Sequence, residues 1–488
     1  MQQILDSNSV HGEQAGRKFR VVIAGASGFV GRALVPELAK FCDIVALSRY
    51  PRRMELSKSD KSIEWRQCDL FSARQTEAAL SGCDFAVFLV HSMLPSARLT
   101  QGSFDDLDLV IADNFGRAAK ACGVKRVVYL GGIIPTGDLS RHLASRLEVE
   151  AAIASHGVPV IALRAGLVIG PGGSSFDMMR KLVQRLPAML CPKWTRTRSS
   201  PVSIDDVVRV MTRVVLDLDL PAGSYDVGGS EVVTYLDMMR ITASMMGKRR
   251  LMVPVFLFSP KLSRLWVRLV TGSPKELIAP LVESLRHEMI PRDSSIFERY
   301  SIRPVSFRDA LRSALSAPLA QTKAIRLPRN VMSANLVCSV QRLPLPPGRD
   351  ACWIASRYAH WLIQFLWPFI KVNRSEDGSL EFKFRFLLAG WEVTLLQLQY
   401  VAARSDHHRQ LFFITGGVLT ASNTGVIGRF EFREVLSGRY ALAAIFDYPP
   451  ALPWWVYKCS QAIVHLFVMH SFRAYLARIC KKAKPRSI

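Results

Sequence analysis

Val22-Ile23-Ala24-Gly25-Ala26-Ser27-Gly28-Phe29-Val30-Gly31 is the stretch on which the fold turns. The apolar run Phe19–Ala24 reads as a strand, and Leu34, Leu38 and Phe41 at helical spacing make Gly31–Phe41 a helix. A glycine-rich turn in that setting suits a pyrophosphate. Gly25 permits the tight turn, Gly28 lets backbone approach the phosphates, and Gly31 lets the helix pack closely on the strand. The helix start adds N–H groups and the positive end of a dipole. Gly25, Ser27, Gly28, Phe29, Val30 and Gly31 are therefore the candidate cofactor loop. An ordinary strand–helix turn is the competing explanation.

Outward from this loop, short apolar runs alternate with helical patterns. Ile44–Leu47, Phe85–Val90, Arg126–Leu130 and Val158–Leu163 read as strands, with helices over Asp106–Cys122 and Ser145–His156. Continuous apolar strands separated by helices predict a parallel sheet covered on both faces, an α/β doubly wound Rossmann-type fold. The second strand ends at Arg49, with Arg52 and Arg53 just beyond. An acid usually sits there to hold the ribose hydroxyls of NAD, whereas guanidinium groups suit the 2′-phosphate of NADP. NADP(H) is thus expected in preference to NAD(H), with Arg49 and Arg53 as its readers.

The chain has 488 residues, 49% hydrophobic and 21% charged, which excludes a largely disordered protein. Its net charge of +24 favours polyanionic partners without choosing among them. The nine cysteines are scattered and form no CxxC pair, so reduced thiols in a cytoplasmic protein are expected, and no metal. Residues 1–18 read as a flexible leader. No uncharged apolar run reaches bilayer length, because Lys458, His465 and His470 interrupt the nearest, Trp454–Phe472.

From Tyr235 to about Ala320 the pattern is mostly helical, punctuated by proline, and 235–321 is expected as a substrate-side lobe of the unit begun at 19–234. A basic linker over 322–330 leads to a second domain at 331–488. There a strand at Leu336–Val340 and a helix at Asp350–Ile370 precede β-rich runs and one long helix, Pro453–Lys481. That order resembles a helix-grip (START-like) α+β fold, which would enclose an apolar cavity. Trp353, Trp361, Phe365, Trp367 and Phe369 are candidate lining, although aromatics at helical spacing also build ordinary cores. No acid follows Asp447, so the final helix either lies on anionic lipid or is a core helix with a solvated basic tail. Aromatic interleaving near the basic stretch Arg180–Arg198 is thin, which argues against nucleic acid.

Several phrases, in order, resemble the extended and atypical short-chain dehydrogenase/reductases: the glycine loop, Cys68-Asp69-Leu70, Asn114, Val127–Gly132, Arg164–Gly172, Pro201–Val207 and Tyr225–Gly229. The resemblance spans about 19–315. It is nearest to bacterial two-domain proteins in which such a reductase precedes a domain of unknown function, a group related to the nucleotide-binding accessory subunit of respiratory complex I. By this resemblance Asp69 and Leu70 border the adenine, and Val90 and His91 line the cofactor cleft. The superfamily's Tyr-x-x-x-Lys pair is missing: His142 and Arg146 occupy its place, and Gly131-Gly132 replaces the usual hydroxyl residue.

His142 and Arg146 stand four residues apart, on one helical face. An imidazole, with its usual value of about 6.5, would serve as proton donor, with Arg146 orienting a ribose and lowering that value by charge repulsion. Three functions are therefore expected in descending order: a reductase of a hydrophobic carbonyl or quinone-type compound; a catalytically inactive cofactor-binding module that stabilises or senses redox state in a membrane-associated complex; and a nucleotide-sugar epimerase or dehydratase. A small hydrophobic or anionic molecule, an anionic membrane touched peripherally, or a protein would be the partner.

Overall fold

The computed structural model describes residues 18–49, 62–91, 99–255, 282–317, 336–386, 391–421 and 425–483. The leader, Arg52, Arg53 and the 322–330 linker lie outside these residues. The chain divides into two compact units, one of Met1–Met93 with Ile111–Ile325, the other of Leu94–Val110 with Arg326–Ile488.

The first unit opens with strand β1 (Arg20–Ala24), helix α1 (Phe29–Leu38), β2 (Asp43–Ser48), β3 (Ile63–Gln67), α2 (Ala73–Leu80) and β4 (Phe85–Phe88). A short strand, β5 (Leu99–Gln101), and the start of α3 (Phe104–Ala121) belong to the second unit. The first then resumes with β6 (Arg126–Gly132), α4 (Arg141–Ala154), β7 (Val160–Ala165), α5 (Ser174–Arg185), α6 (Ile204–Leu216), β8 (Gly223–Val227), α7 (Tyr235–Met245), β9 (Leu251–Val255) and α8 (Phe307–Ser316).

Seven parallel strands form one sheet in the order β8-β7-β6-β4-β1-β2-β3. Alternate side chains explain why it is covered on both faces. Val21, Ile23, Val87 and Val128 pack with Leu34 and Leu38 of α1 and Val210 and Met211 of α6. On the other face Phe88 meets Phe115 of α3 edge-on at 4.9 Å. The expected Rossmann-type α/β fold is present. β3 and α2 escape a sequence reading because β3 carries half-exposed charged and polar residues.

Beside the sheet, α5, α7 and α8 form a lobe with a core of Phe176, Met179, Leu236, Met239, Phe307 and Leu311. The expectation of a mostly helical lobe needs one correction: Leu251–Val255 is a strand. It pairs in parallel with a second strand at Ala188–Pro192.

In the second unit β10 (Val337–Pro344), α9 (Ala351–Phe365), β11 (Ile370–Arg374), β12 (Leu380–Arg385), β13 (Glu392–Tyr400), β14 (Arg409–Gly416), β15 (Gly428–Val435), β16 (Tyr440–Tyr448), α10 (Trp454–Cys459) and α11 (Gln461–Ala483) follow one another. The eight-stranded sheet runs β11-β12-β13-β14-β15-β16-β10-β5 and is antiparallel except at the β10–β5 edge. Ile354, Tyr358 and Trp361 of α9 and Met469, Phe472 and Leu476 of α11 share a core with Phe412, Phe430, Phe432 and Ala443 of the sheet.

Two boundaries differ from the sequence reading. The first helix stops at Phe365, and Ile370 already begins a strand. The last helix is two, broken at Ser460, whose φ of −128° and ψ of −88° are not helical.

Candidate functional site

Every expected cofactor residue in the described chain lies at the carboxyl end of the parallel sheet, where ligands of open α/β sheets bind. Gly25 follows β1 with φ +87°, a left-handed conformation glycine adopts without strain. A Cβ there would also sit 3.1 Å from the Leu89 backbone. The Gly28 N–H closes the turn on the Gly25 carbonyl at 2.8 Å. A Cβ on Gly31 would lie 2.3 Å from the Gly25 oxygen and 2.7 Å from Ala26 backbone, so the first turn of α1 can press on the loop only through glycine.

The cap of α1 is Gly28, which makes no side-chain cap hydrogen bond. Ser72, Ser140, Ser203 and Thr234 cap α2, α4, α6 and α7 with their side chains. The glycine turn thus brings bare backbone N–H groups to the sheet edge, which fits the pyrophosphate of a dinucleotide. Phe29 turns instead toward Gly170 and Gly173, where an added Cβ would stand 3.1 Å from its ring.

Arg49 is exposed at the end of β2, and its carbonyl accepts from the Gln67 side chain at 3.4 Å. The Cys68 N–H donates to the Ser48 carbonyl at 3.0 Å, carrying Asp69 to the same edge. There the Asp69 carboxylate accepts from the Phe71 N–H, and the Leu70 carbonyl accepts from buried Asn114 at 2.7 Å. Arg49, Asp69 and Leu70 are therefore brought together; Arg53 lies outside the described residues. Val90 and His91 follow β4, with the Leu89 N–H bonded to the Ala24 carbonyl at 2.9 Å.

His142 and Arg146 stand one turn apart on α4. The Arg146 guanidinium donates to Nε2 of His91, and its aliphatic stem lies against Gly132, 3.9 Å from where a Cβ would be. The guanidinium is buried and burial pulls it down to about 9, so it is a cation at neutral pH. Glu150, one turn beyond Arg146 on α4, is engaged bidentately by Arg164 at 2.9 and 3.1 Å. Tyr129 is structural, as its buried hydroxyl donates to the Arg146 carbonyl at 3.2 Å.

Burial, rather than repulsion from Arg146, lowers His142 from its ordinary value to about 4. The direction of the shift is the expected one; only its cause differs. At neutral pH the imidazole is uncharged.

His142 and Gly132 border a cavity of about 170 Å³ whose other walls are chiefly Met178, Met179, Leu182, Trp194, Tyr235 and Met239. Tyr235, pushed up to about 12 by burial, keeps its phenolic proton. Its ring meets Trp194 edge-on at 6.4 Å. Sequence reasoning missed this lining, because residues from α5, α7 and the intervening chain converge only in the folded lobe. The one available signal was the run of methionines, which also reads as core.

The basic stretch is partly neutralised: Arg180 pairs with Asp177 at 3.3 Å and Arg198 with Glu288 at 2.8 Å. In the second unit the ligand atoms of Asp350, Cys352 and His407 lie within 4.8 Å of one another. Asp350 already accepts from the Trp353 N–H and contacts His407 at 3.2 Å, a helix-capping arrangement.

Comparison with known proteins agrees with this geometry. A family model described as NAD(P)H-binding matches residues 25–161. The auxiliary protein GraX of Staphylococcus aureus (strain NCTC 8325 / PS 47) is 39% identical over 115 residues, 24% of this chain and 37% of that protein. The chain thus spans little more than a third of the length of that curated relative.

Among solved structures, the NADPH complex of an Escherichia coli NADPH-dependent quinone oxidoreductase is similar at TM-score 0.50 and 16% identity over 61% of this chain and all of the other. The NADP(H) complex of Citrobacter sp. triphenylmethane reductase gives 0.50 and 17% over 61% and 100%. A nucleoside-diphosphate-sugar epimerase from Staphylococcus aureus gives 0.50 and 16% over 60% and 100%. At these identities the likeness is one of fold. The N-terminal part of the chain is an NAD(P)H-binding domain.

Proposed function

We propose that the chain is an NADPH-dependent reductase of an apolar carbonyl compound of quinone type. The carrying observation is a buried guanidinium, Arg146, paired with an imidazole rather than a carboxylate beside the floor of an apolar cavity. A buried cation lacking a full counter-charge favours negative charge arriving next to it. Hydride delivery to a carbonyl creates such a charge on oxygen.

The glycine turn and α1 would hold the pyrophosphate, Arg49 the 2′-phosphate, and Asp69 and Leu70 the adenine side. When bound, the nicotinamide supplies the hydride. Neutral His142 offers a ring N–H to the substrate oxygen, as an electrophile that polarises without carrying charge. Arg146 stabilises the oxyanion as it forms. The methionine and aromatic walls exclude water and select an apolar ring. The second unit is read as a helix-grip, START-like domain.

One observation favours a second reading, a cofactor-binding module without turnover: no phenol–amine pair stands on α4, and His142 is held neutral. The epimerase reading ranks last for want of that phenol. The test is binding of NADPH and NADH to the full chain, followed by cofactor oxidation in the presence of benzoquinones, naphthoquinones and apolar enones. Tighter NADPH binding by about tenfold or more, lost in Arg49→Glu, is expected from a 2′-phosphate site. Turnover with at least one apolar quinone is expected as well. Cofactor held but oxidised by none of them would leave the module.

A further inference from the structure

The second unit carries large apolar side chains where water would be expected. Trp367, Trp391, Trp455 and Phe467 are 75%, 63%, 74% and 61% exposed. Hydrogen bonds gather them at one end of the sheet. The Phe386 N–H donates to the Trp391 carbonyl at 3.0 Å where β12 and β13 adjoin, and their rings lie 5.5 Å apart. The Arg385 N–H donates to the Phe369 carbonyl at 2.8 Å, bringing Trp367 and the end of α9 alongside.

On the same margin the Val418 N–H donates to the Thr394 carbonyl, and the Ala451 N–H to the Leu419 carbonyl at 3.1 Å. That second bond delivers α10, with Trp455, to this end. Phe365 of α9 reaches Phe467 of α11 at 6.0 Å, closing the group. An exposed aromatic surface of this kind marks an interaction site.

The outward stripe of α11 says what covers it. Ile463, Val464 and Phe467 are exposed at its start, and Arg478, Lys481 and Lys482 are exposed near its end on the same side. No acid occurs anywhere after Asp447. The stripe therefore changes from apolar at its start to cationic at its end along one face. Two copies meeting through it would set cation against cation. A layer with an apolar interior and an anionic rim satisfies both halves.

We propose that this end of the second unit docks on an anionic lipid bilayer. Trp367, Trp391, Trp455 and Phe467 enter the headgroup region, where amphipathic rings are favoured, and the cationic end of α11 lies along lipid phosphates. The surface is distinct from the nucleotide site and does not depend on its activity.

The test is flotation of the full chain with vesicles of phosphatidylcholine alone and with vesicles in which roughly a third of the lipid is phosphatidylglycerol. Binding to the anionic vesicles should be about tenfold or more stronger, should weaken as salt shortens the Debye length, and should shift tryptophan emission to the blue. The variant Trp367→Ser/Trp391→Ser/Trp455→Ser/Phe467→Ser changes only exposed side chains. It should keep its circular dichroism and melting profile while losing about a hundredfold in partitioning. Lys481→Glu/Lys482→Glu should remove the lipid preference alone.

Equal binding to both vesicles, no binding to anionic vesicles at low salt, or unchanged binding by the aromatic variant overturns the proposal. So does a dimer by light scattering that the aromatic variant dissociates, since the surface would then be covered by a second copy. Retention by an acidic protein with no lipid binding would likewise replace the bilayer as occupant.

Discussion

At the residue scale the proposed chemistry rests on two side chains four positions apart. If Arg146 receives an oxyanion, Arg146→Met should lower kcat by about 100- to 1000-fold while NADPH affinity stays within a few fold, as for loss of an oxyanion donor. A comparable fall in affinity with unchanged kcat would assign the guanidinium to cofactor binding instead. His142 supplies a pH test. With its value near 4, turnover should stay flat as pH falls through 6.5, and the acid limb should appear only toward about 4, where a second cation forms beside Arg146. An acid limb at the ordinary imidazole value would mean that His142 is solvated in the working enzyme. The spacing of His142 and Arg146 on one helix was legible in the sequence, and α4 carries both. Their electrostatic states were not legible, because both are set by burial among residues distant in sequence.

At the element scale the glycine turn was readable because its constraints are local: a strand end, a left-handed φ and a helix start occupy ten consecutive residues. Gly31→Ala should therefore cost about 1–3 kcal/mol by forcing α1 off the loop, and should weaken NADPH binding in step. Urea unfolding with a parallel cofactor titration checks both. The sheet of the second unit holds a device that sequence patterning hid. Arg409 and Arg433 stand directly opposite on β14 and β15, and buried Glu431 bridges them at 2.6 and 2.8 Å. Although burial raises the Glu431 carboxyl, the two guanidiniums hold it below its usual range. Glu431→Gln would remove the charge that bridges these two guanidiniums, and a loss of about 3–5 kcal/mol in urea unfolding is expected. A change below about 1 kcal/mol would show that water reaches the pair. Three charges in a strand context read as a solvated face; only the register reveals that they are buried together.

At the scale of the whole molecule the two units share a stretch of chain that no pattern announced. Leu94–Val110 lies within the nucleotide-binding sequence yet belongs to the second unit. There β5 pairs with β10, and Asp106 meets Arg342 at 2.7 Å. A three-residue strand has too little periodicity to be read, and its partner lies more than two hundred residues away. Among the described residues each unit holds one histidine that burial lowers to about 4: His142 in the first, and His465 in the second, where Nε2 meets the Ser339 hydroxyl at 3.0 Å. The unfolded chain takes up these protons near 6.5, the folded chain only near 4. Stability contributed by each neutral ring is therefore complete above about pH 6.5, declines as pH falls through that window, and is gone below about 4. The full shift corresponds to about 3 kcal/mol per histidine, and partial exposure of both rings reduces this to about 2. His465→Gln keeps a hydrogen-bonding group without the titration. Its melting temperature should gain on that of the unmodified chain as pH drops from about 7.5 to 4.5, while carboxylate protonation affects both alike. A difference that stays constant across that range would mean that His465 is as accessible to protons in the folded chain as in the unfolded one.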